Sequence, residues 1–319
     1  MKRKDINKPV SFWIEEERFD GIKNCLTVIL RTKGCYWNKC LMCGYSKDAD
    51  RKVEIDNLKN QIEYVLRKCE KKEFEILKIF TSGSFFDNRE VPSSFREYIY
   101  STVRDLGLKK LIVESRPEFI TDSRMKEIPV DFKTEVGIGL ETANDFIREN
   151  CINKGFTFED FVRASNILRK HGVRVKVYLF LKPPFLSENE AIKDVISSAK
   201  AVKKYADVIS LNLTNIPSGT YIEMLWKKRL YRPPWLWSAV EAMKIVRKTG
   251  VEIISDPVAA GKQRSVHNCG KCDYEVTNAI KRFSLTQNEE EFDKLYCKCI
   301  ELWKRVIEIE DFSRIPLVK

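Results

Sequence analysis

The chain has 319 residues, of which 43% are hydrophobic and 32% charged, with a formal net charge of +11. Such a chain carries enough apolar material for one large α/β domain plus a smaller appendage, and it has no apolar run of membrane-spanning length. The opening MKRKDINKPVSFWIEEERFD is basic with no apolar stretch behind it, so no secretory signal is expected and the location is read as cytoplasmic.

In chain order, residues 1–24 read as an N-terminal arm. Apolar runs rich in Val, Ile and Leu then recur at 25–32, 74–81, 110–115, 134–141, 173–181 and 207–213. Each has the length and composition of a buried strand. Amphipathic stretches separate them. In TFEDFVRASNILRKHG, Phe158, Phe161, Val162, Ser165 and Leu168 share a helical face, and Gly172 supplies the stop.

Six such repeats with right-handed crossovers predict an α/β fold with a parallel sheet, a (β/α)6-type partial TIM barrel over 25–255. VEIIS at 251–255 extends it. No Gly-x-Gly-x-x-Gly follows the first strand, which argues against a dinucleotide-binding sheet. From 256 to 319 the alternation stops, and a small helical extension is expected.

Ten cysteines argue against a disulfide framework in a cytoplasmic chain. Cys69 falls on the apolar face of EIDNLKNQIEYVLRKC with Ile55, Leu58, Ile62, Val65 and Leu66, and reads as a buried hydrophobe. Cys25 and Cys151 suggest no role. Cys35, Cys40 and Cys43 crowd into KGCYWNKCLMCGYS, directly after the first predicted strand. Functional residues of parallel barrels gather in such loops. Core packing does not suit a loop carrying Lys33, Asn38, Lys39 and Gly44. Structural zinc wants a fourth ligand nearby. An iron–sulfur cube on three thiolates leaves one iron open, and this option is favoured.

Three cysteines in this position resemble the radical S-adenosylmethionine superfamily, with Cys-x4-Cys-x2-Cys in place of the commoner Cys-x3-Cys-x2-Cys. The resemblance implies that Cys35, Cys40 and Cys43 hold a catalytic [4Fe-4S] cluster. Its open iron takes the amino and carboxylate groups of S-adenosylmethionine, and reduction yields a 5′-deoxyadenosyl radical. It also assigns cofactor contacts. Tyr45 occupies an aromatic position that meets the adenine. Ser82, Gly83 and Ser84 of TSGSFFD fill the slot of a Gly-Gly-Glu-like motif. ESRPEF resembles a Glu-Thr-Arg-Pro-Asp stretch of the elongator catalytic-subunit type, which turns Glu114 and Arg116 toward cofactor or substrate. Glu141 stands at the place of a polar cofactor-side residue. INKGFTF resembles Asn-Arg-Gly-His-Thr of the same group, with Lys154 and Phe156 substituted. Lys182 lies at a strand's C-terminal mouth, and Tyr36 and Trp37 shield the cube.

The later stretches SLNLTNIPSGTYIEMLWKKRLYRPPWLWSAVEAM and DPVAAGKQRSVHNCGKCDYEVTNAIKRFS resemble the radical-subunit family of archaeosine synthases. That likeness implies a lyase breaking the C–N bond of a lysine adduct on a 7-deazaguanine base in tRNA. It also implies a complex with the partner synthase subunit, an external electron donor and no membrane partner. Two alternatives stay open: another tRNA-modifying radical enzyme (thiolation, methylation or carboxymethylation), and a non-catalytic metal-bearing RNA-binding subunit. The basic excess suits RNA as well as an ordinary Lys- and Glu-rich surface. KKRLYRPPWLW at 227–237 offers Lys227, Lys228, Arg229 and Arg232 beside Tyr231, Trp235 and Trp237, either for single-stranded RNA or as aromatics packed under a Pro-Pro turn.

Cys269, Cys272, Cys297 and Cys299 form a second cluster. Cys269-x2-Cys272 is a metal knuckle, and zinc or a second iron–sulfur cluster are the candidates. In an unbroken helix Cys297 and Cys299 face apart. Cys299 would then join Phe292, Leu295, Tyr296, Trp303 and Val306 on an apolar side, with His267 as replacement ligand.

Overall fold

The computed structural model describes residues 5–318. In chain order the elements are β1 (Ser11–Arg18), β2 (Ile22–Ile29), α1 (Ile55–Cys69), β3 (Ile76–Phe80), α2 (Ser93–Asp105), β4 (Lys110–Glu114), α3 (Asp122–Met125) and β5 (Lys133–Glu141). They continue with α4 (Asp145–Ile147), α5 (Phe158–Lys170), β6 (Arg174–Leu181), α6 (Glu188–Val202), β7 (Val208–Leu213), α7 (Tyr221–Lys227), α8 (Leu236–Arg247), β8 (Glu252–Ile254), α9 (Asp273–Thr286) and α10 (Cys299–Ser313). All six apolar runs became strands, and the α/β class with parallel repeats is as expected. No described helix is long and apolar enough to cross a membrane.

The chain forms two compact units. The first comprises Met1–Asn38, Tyr45–Gly139 and Glu159–Val175. In it β2, β3, β4 and β5 pair in parallel, in chain order. On these strands Leu26, Val28, Ile79, Ile112 and Val136 are wholly buried. Helices on the faces of a parallel sheet explain continuous apolar runs in place of alternation. On α1, Leu58, Ile62, Val65 and Cys69 point inward, so Cys69 is the buried hydrophobe expected.

One strand was illegible. β1 lies within the expected N-terminal arm, of which residues 1–4 are outside the described part, and it pairs antiparallel with β2 from Ser11↔Ile29 to Arg18↔Ile22. Its Glu15 and Glu17 reach the Lys78 ammonium at 2.8 and 2.5 Å. That contact compensates a lysine whose side chain is only 9% exposed.

The second unit comprises Lys39–Gly44, Leu140–Phe158 and Lys176–Lys319. Here β6, β7 and β8 pair in parallel. Ser187 opens α6 with a capping box to Glu190. The helices α9 and α10 make up the expected C-terminal extension, and α10 packs on α6.

Candidate cofactor and metal sites

In the first unit the residues around Cys35 are organised by a carboxylate that sequence reasoning missed. Glu90 is buried and accepts hydrogen bonds from the Thr32 hydroxyl (2.6 Å) and the backbone N–H groups of Gly83 (3.0 Å) and Ser84 (2.7 Å). Burial pushes its carboxyl up, while the bonds from Thr32, Ser84 and Gly83 hold it down. The turn after β3 is thereby tied to the chain leaving β2. A Cβ on Gly83 would stand 2.5 Å from Glu90 Oε2 and 2.8 Å from the Cα of Cys35, so only glycine fits there.

The same turn meets the strand ends beside it. The Phe85 N–H donates to the Glu114 carbonyl at 2.8 Å, and the Arg116 N–H to Ser84 Oγ at 3.0 Å. The Arg116 guanidinium lies 5.4 Å from the Tyr36 ring centre and 5.5 Å from that of Trp37. Its Nε donates to Glu118 Oε1 at 2.6 Å, and the Tyr36 hydroxyl donates to the same oxygen. Glu118, the second missed residue, fixes a cation between two rings. Tyr45 opens a short 3-10 turn and is 61% exposed. A cavity of about 550 Å³, lined by Phe19, Lys23, Glu75, Lys109 and Phe132, lies at the opposite, N-terminal ends of β3–β5 and is no part of this arrangement.

In the second unit, 39–44 is a short segment carrying Cys40 and Cys43, where the Cys43 N–H donates to the Cys40 carbonyl. It is pinned at both sides: the Leu41 N–H donates to Ile152 O at 2.9 Å, and the Ile222 N–H to Leu41 O at 3.2 Å. Asn153 Nδ2 donates to Lys39 O at 3.1 Å. Met42 packs on a buried cluster of Ile216, Ile222, Leu225 and Tyr231. Gly44 cannot carry a side chain, since a Cβ would lie 2.5 Å from that of Pro217.

Glu141, at the end of β5, adopts φ +69° and accepts from Lys154 Nζ at 2.6 Å. Lys154 is thus a partner of Glu141. Phe156 takes the Arg148 guanidinium over its ring at 5.5 Å. Lys182 is placed differently from the expected cofactor contact. Its amine is buried between Glu188 (2.7 Å) and Glu310 (3.0 Å), an ion triad joining β6, α6 and α10.

The base-stacking part of the single-stranded RNA reading of 227–237 is overturned, whereas Lys227, Lys228 and Arg229 are exposed. Tyr231, Trp235 and Trp237 are at most 4% exposed, and Arg232 is buried over the Trp235 ring at 4.3 Å. Rings enclosed in a core present no face for a base to stack on.

Among the described residues, two groups bring three or more potential ligand atoms within 4.8 Å of one another: Cys269, Cys272, Cys297 and Cys299, and Glu15, Glu17 and Cys25. The second is filled by the Lys78 ammonium, and burial pushes the Cys25 thiol up to about 12. Cys35 lies in the first unit and Cys40 and Cys43 in the second. A cube binds each thiolate to a different iron and so spreads them wider than one ion does. Three half-buried cysteines outside any disulfide, on one stretch of chain, are a donor set of the type such a cluster takes.

A parallel β/α sheet with a three-cysteine loop after the strand that leads it defines an S-adenosylmethionine-cleaving radical enzyme, and residues 29–196 match the Radical SAM superfamily. The chain belongs to that superfamily, whose cofactors are a [4Fe-4S] cluster and S-adenosylmethionine. It is 43% identical to archaeosine synthase subunit beta of Methanosarcina acetivorans, over 98% of this chain and 94% of that protein. The protein of the same name from Thermococcus kodakarensis is 39% identical over 94% of this chain and 97% of its own length. Among solved structures, Elp3 of Methanocaldococcus infernus superposes with a TM-score of 0.51 at 15% identity, covering 69% of this chain and 57% of that one, a likeness of fold.

Proposed function

We propose that this chain is the radical lyase of archaeosine formation, breaking the C–N bond of a lysine adduct on a 7-deazaguanine base in tRNA. The observation that carries the reading is the near full-length likeness to two archaeosine synthase beta subunits, with the three-cysteine loop inside the matched span. The name of those relatives also supports a complex with a partner synthase subunit, and radical chemistry requires an external electron donor. Cleaving an unactivated C–N bond is beyond acid–base side chains alone.

Cys35, Cys40 and Cys43 would hold the cluster, which with bound S-adenosylmethionine supplies a 5′-deoxyadenosyl radical. The chain's own residues prepare the surroundings. Glu90 engages the N–H groups of Gly83 and Ser84, so that turn is left to offer carbonyl oxygens, which suit the amino group of S-adenosylmethionine. Glu118 fixes Arg116 as a positioned cation for a carboxylate or phosphate. Tyr36 and Trp37 flank that cation, and as neighbours of Cys35 in the chain they would form part of the cluster's shell. Tyr45 and Glu114 are proposed as cofactor contacts with Ser82, and Glu141, oriented by Lys154, as a further one.

The test is anaerobic turnover with tRNA bearing the lysine adduct, a reductant and S-adenosylmethionine. Formation of 5′-deoxyadenosine together with the amidine base supports the reading, and Cys35→Ala should abolish both. Turnover on a different tRNA nucleoside, with the adduct untouched, would replace it by another radical modification.

A further inference from the structure

The function proposed above leaves a cluster of four thiols unused. Cys269 and Cys272 flank the tight loop before α9, Cys297 lies in the irregular segment after residue 294, and Cys299 opens α10. The unbroken helix that would turn Cys297 and Cys299 apart does not exist. Cys299 therefore does not join the apolar side, and His267 is not needed as a ligand: its Nδ1 hydrogen-bonds to the Ser265 carbonyl.

All four sulfurs lie within 4.8 Å of one another. Cys269 and Cys297 are 3.7 Å apart, and Cys272 and Cys299 3.6 Å. A disulfide requires about 2.05 Å, so these are not bonded pairs. Four thiolates at about 2.3 Å from one tetrahedral zinc stand roughly 3.8 Å from each other. An iron–sulfur cube spreads four thiolates over four irons and needs a wider cage.

We propose that Cys269, Cys272, Cys297 and Cys299 bind one zinc ion in a closed, structural four-thiolate site. The groups around it are arranged for thiolates. Asn268 Nδ2 donates to Cys272 Sγ at 3.3 Å, and Trp237 Nε1 to Cys299 Sγ at 3.2 Å. N–H donors of this kind hold sulfur charge in place. Asp273 closes the knuckle by accepting from the backbone N–H groups of Asn268 (2.9 Å) and Gly270 (2.7 Å). Gly270 takes φ +85°, which a side chain would resist. With no ligand position left for substrate, the ion serves the fold. It ties the start of α9 to the start of α10, the helix that carries Glu310 to Lys182 and Trp303 Nε1 to Ser238 Oγ.

Zinc K-edge absorption and metal analysis on the anaerobically purified wild-type chain test this directly. The expected result is about one zinc per chain with a first shell of four sulfurs at about 2.3 Å. A shell containing nitrogen or oxygen, iron with labile sulfide at these thiols, or a zinc-free chain would overturn it. Cys272→Ser/Cys299→Ser should lose the zinc and retain the iron of the Cys35 loop. If that variant fails to fold, the wild-type spectrum still decides. Neither readout depends on the tRNA substrate, so failure here is distinguishable from failure of the lyase reading.

Discussion

The Glu90 carboxylate accepts the backbone N–H of Gly83 at 3.0 Å, joining the turn after β3 to a glutamate seven residues further on. The second oxygen takes the Ser84 N–H, and Thr32 completes the set. Removing the carboxylate leaves the buried Ser84 N–H and Thr32 hydroxyl and the half-buried Gly83 N–H without an acceptor, each buried group costing about 1–3 kcal/mol. Glu90→Ala is therefore expected to lower stability by about 3 kcal/mol in denaturant unfolding and to lose cofactor cleavage at temperatures where the chain stays folded. Glu90→Gln, with its oxygen toward Thr32 and Gly83, keeps two of the three bonds and should fall between. Equal stability of all three chains would show that the turn does not depend on Glu90.

Gly83 has ordinary backbone angles, so any effect of substitution is steric. In Gly83→Ala the new methyl meets the Glu90 carboxylate and the Cys35 backbone at once. The expected outcome is a folded chain with sharply reduced iron and sulfide after reconstitution, measured against wild type by metal analysis. Normal iron content would mean that the loop gives way without harm to the cluster.

Asp194 on α6 accepts the Thr142 hydroxyl at 2.7 Å and leaves its other oxygen buried without a hydrogen-bond partner. Burial raises its carboxyl to about 6, against the opposing effects of the Thr142 bond and Arg148. The native state thus holds this proton to higher pH than the unfolded chain does. Its contribution is full below about 4 and is lost as pH rises toward 6, by about 3 kcal/mol for a displacement near two units. Asp194→Asn should therefore gain stability relative to wild type between pH 4 and pH 7, followed by thermal unfolding across that range. A constant difference would contradict the raised carboxyl.

Trp235 is buried under Arg232 and is a core residue. Trp235→Ala should destabilise by about 3–5 kcal/mol, as large-to-small core changes do. Bound tRNA per folded molecule should stay constant in a filter or fluorescence titration. A loss of tRNA affinity at unchanged stability would restore the stacking reading.

Much of this arrangement was legible because buried parallel strands are written as unbroken apolar runs, and all six were found. β1 was hidden because SFWIEEER is half charged: as an antiparallel neighbour of β2 it turns Glu15 and Glu17 onto Lys78, a contact no periodicity announces. Glu90 escaped for a similar reason, since the acceptor for Gly83 lies across a turn outside the motif. The aromatic-basic segment at 227–237 was ambiguous because composition does not distinguish rings that stack on bases from rings that fill a core. The second cysteine cluster was visible in its knuckle spacing, yet the start of the helix only at Cys299 was not, and the irregular segment before it lets both later thiols face the first two.

Radical cleavage of the adduct's C–N bond by this chain, leaving the amidine on the tRNA base, is decided by mass analysis of tRNA nucleosides from cells lacking the protein. In such cells the 7-deazaguanine–lysine nucleoside should accumulate and archaeosine disappear, and both changes should be reversed by the wild-type chain and not by Cys35→Ala. Persistence of archaeosine with no accumulated adduct would contradict it.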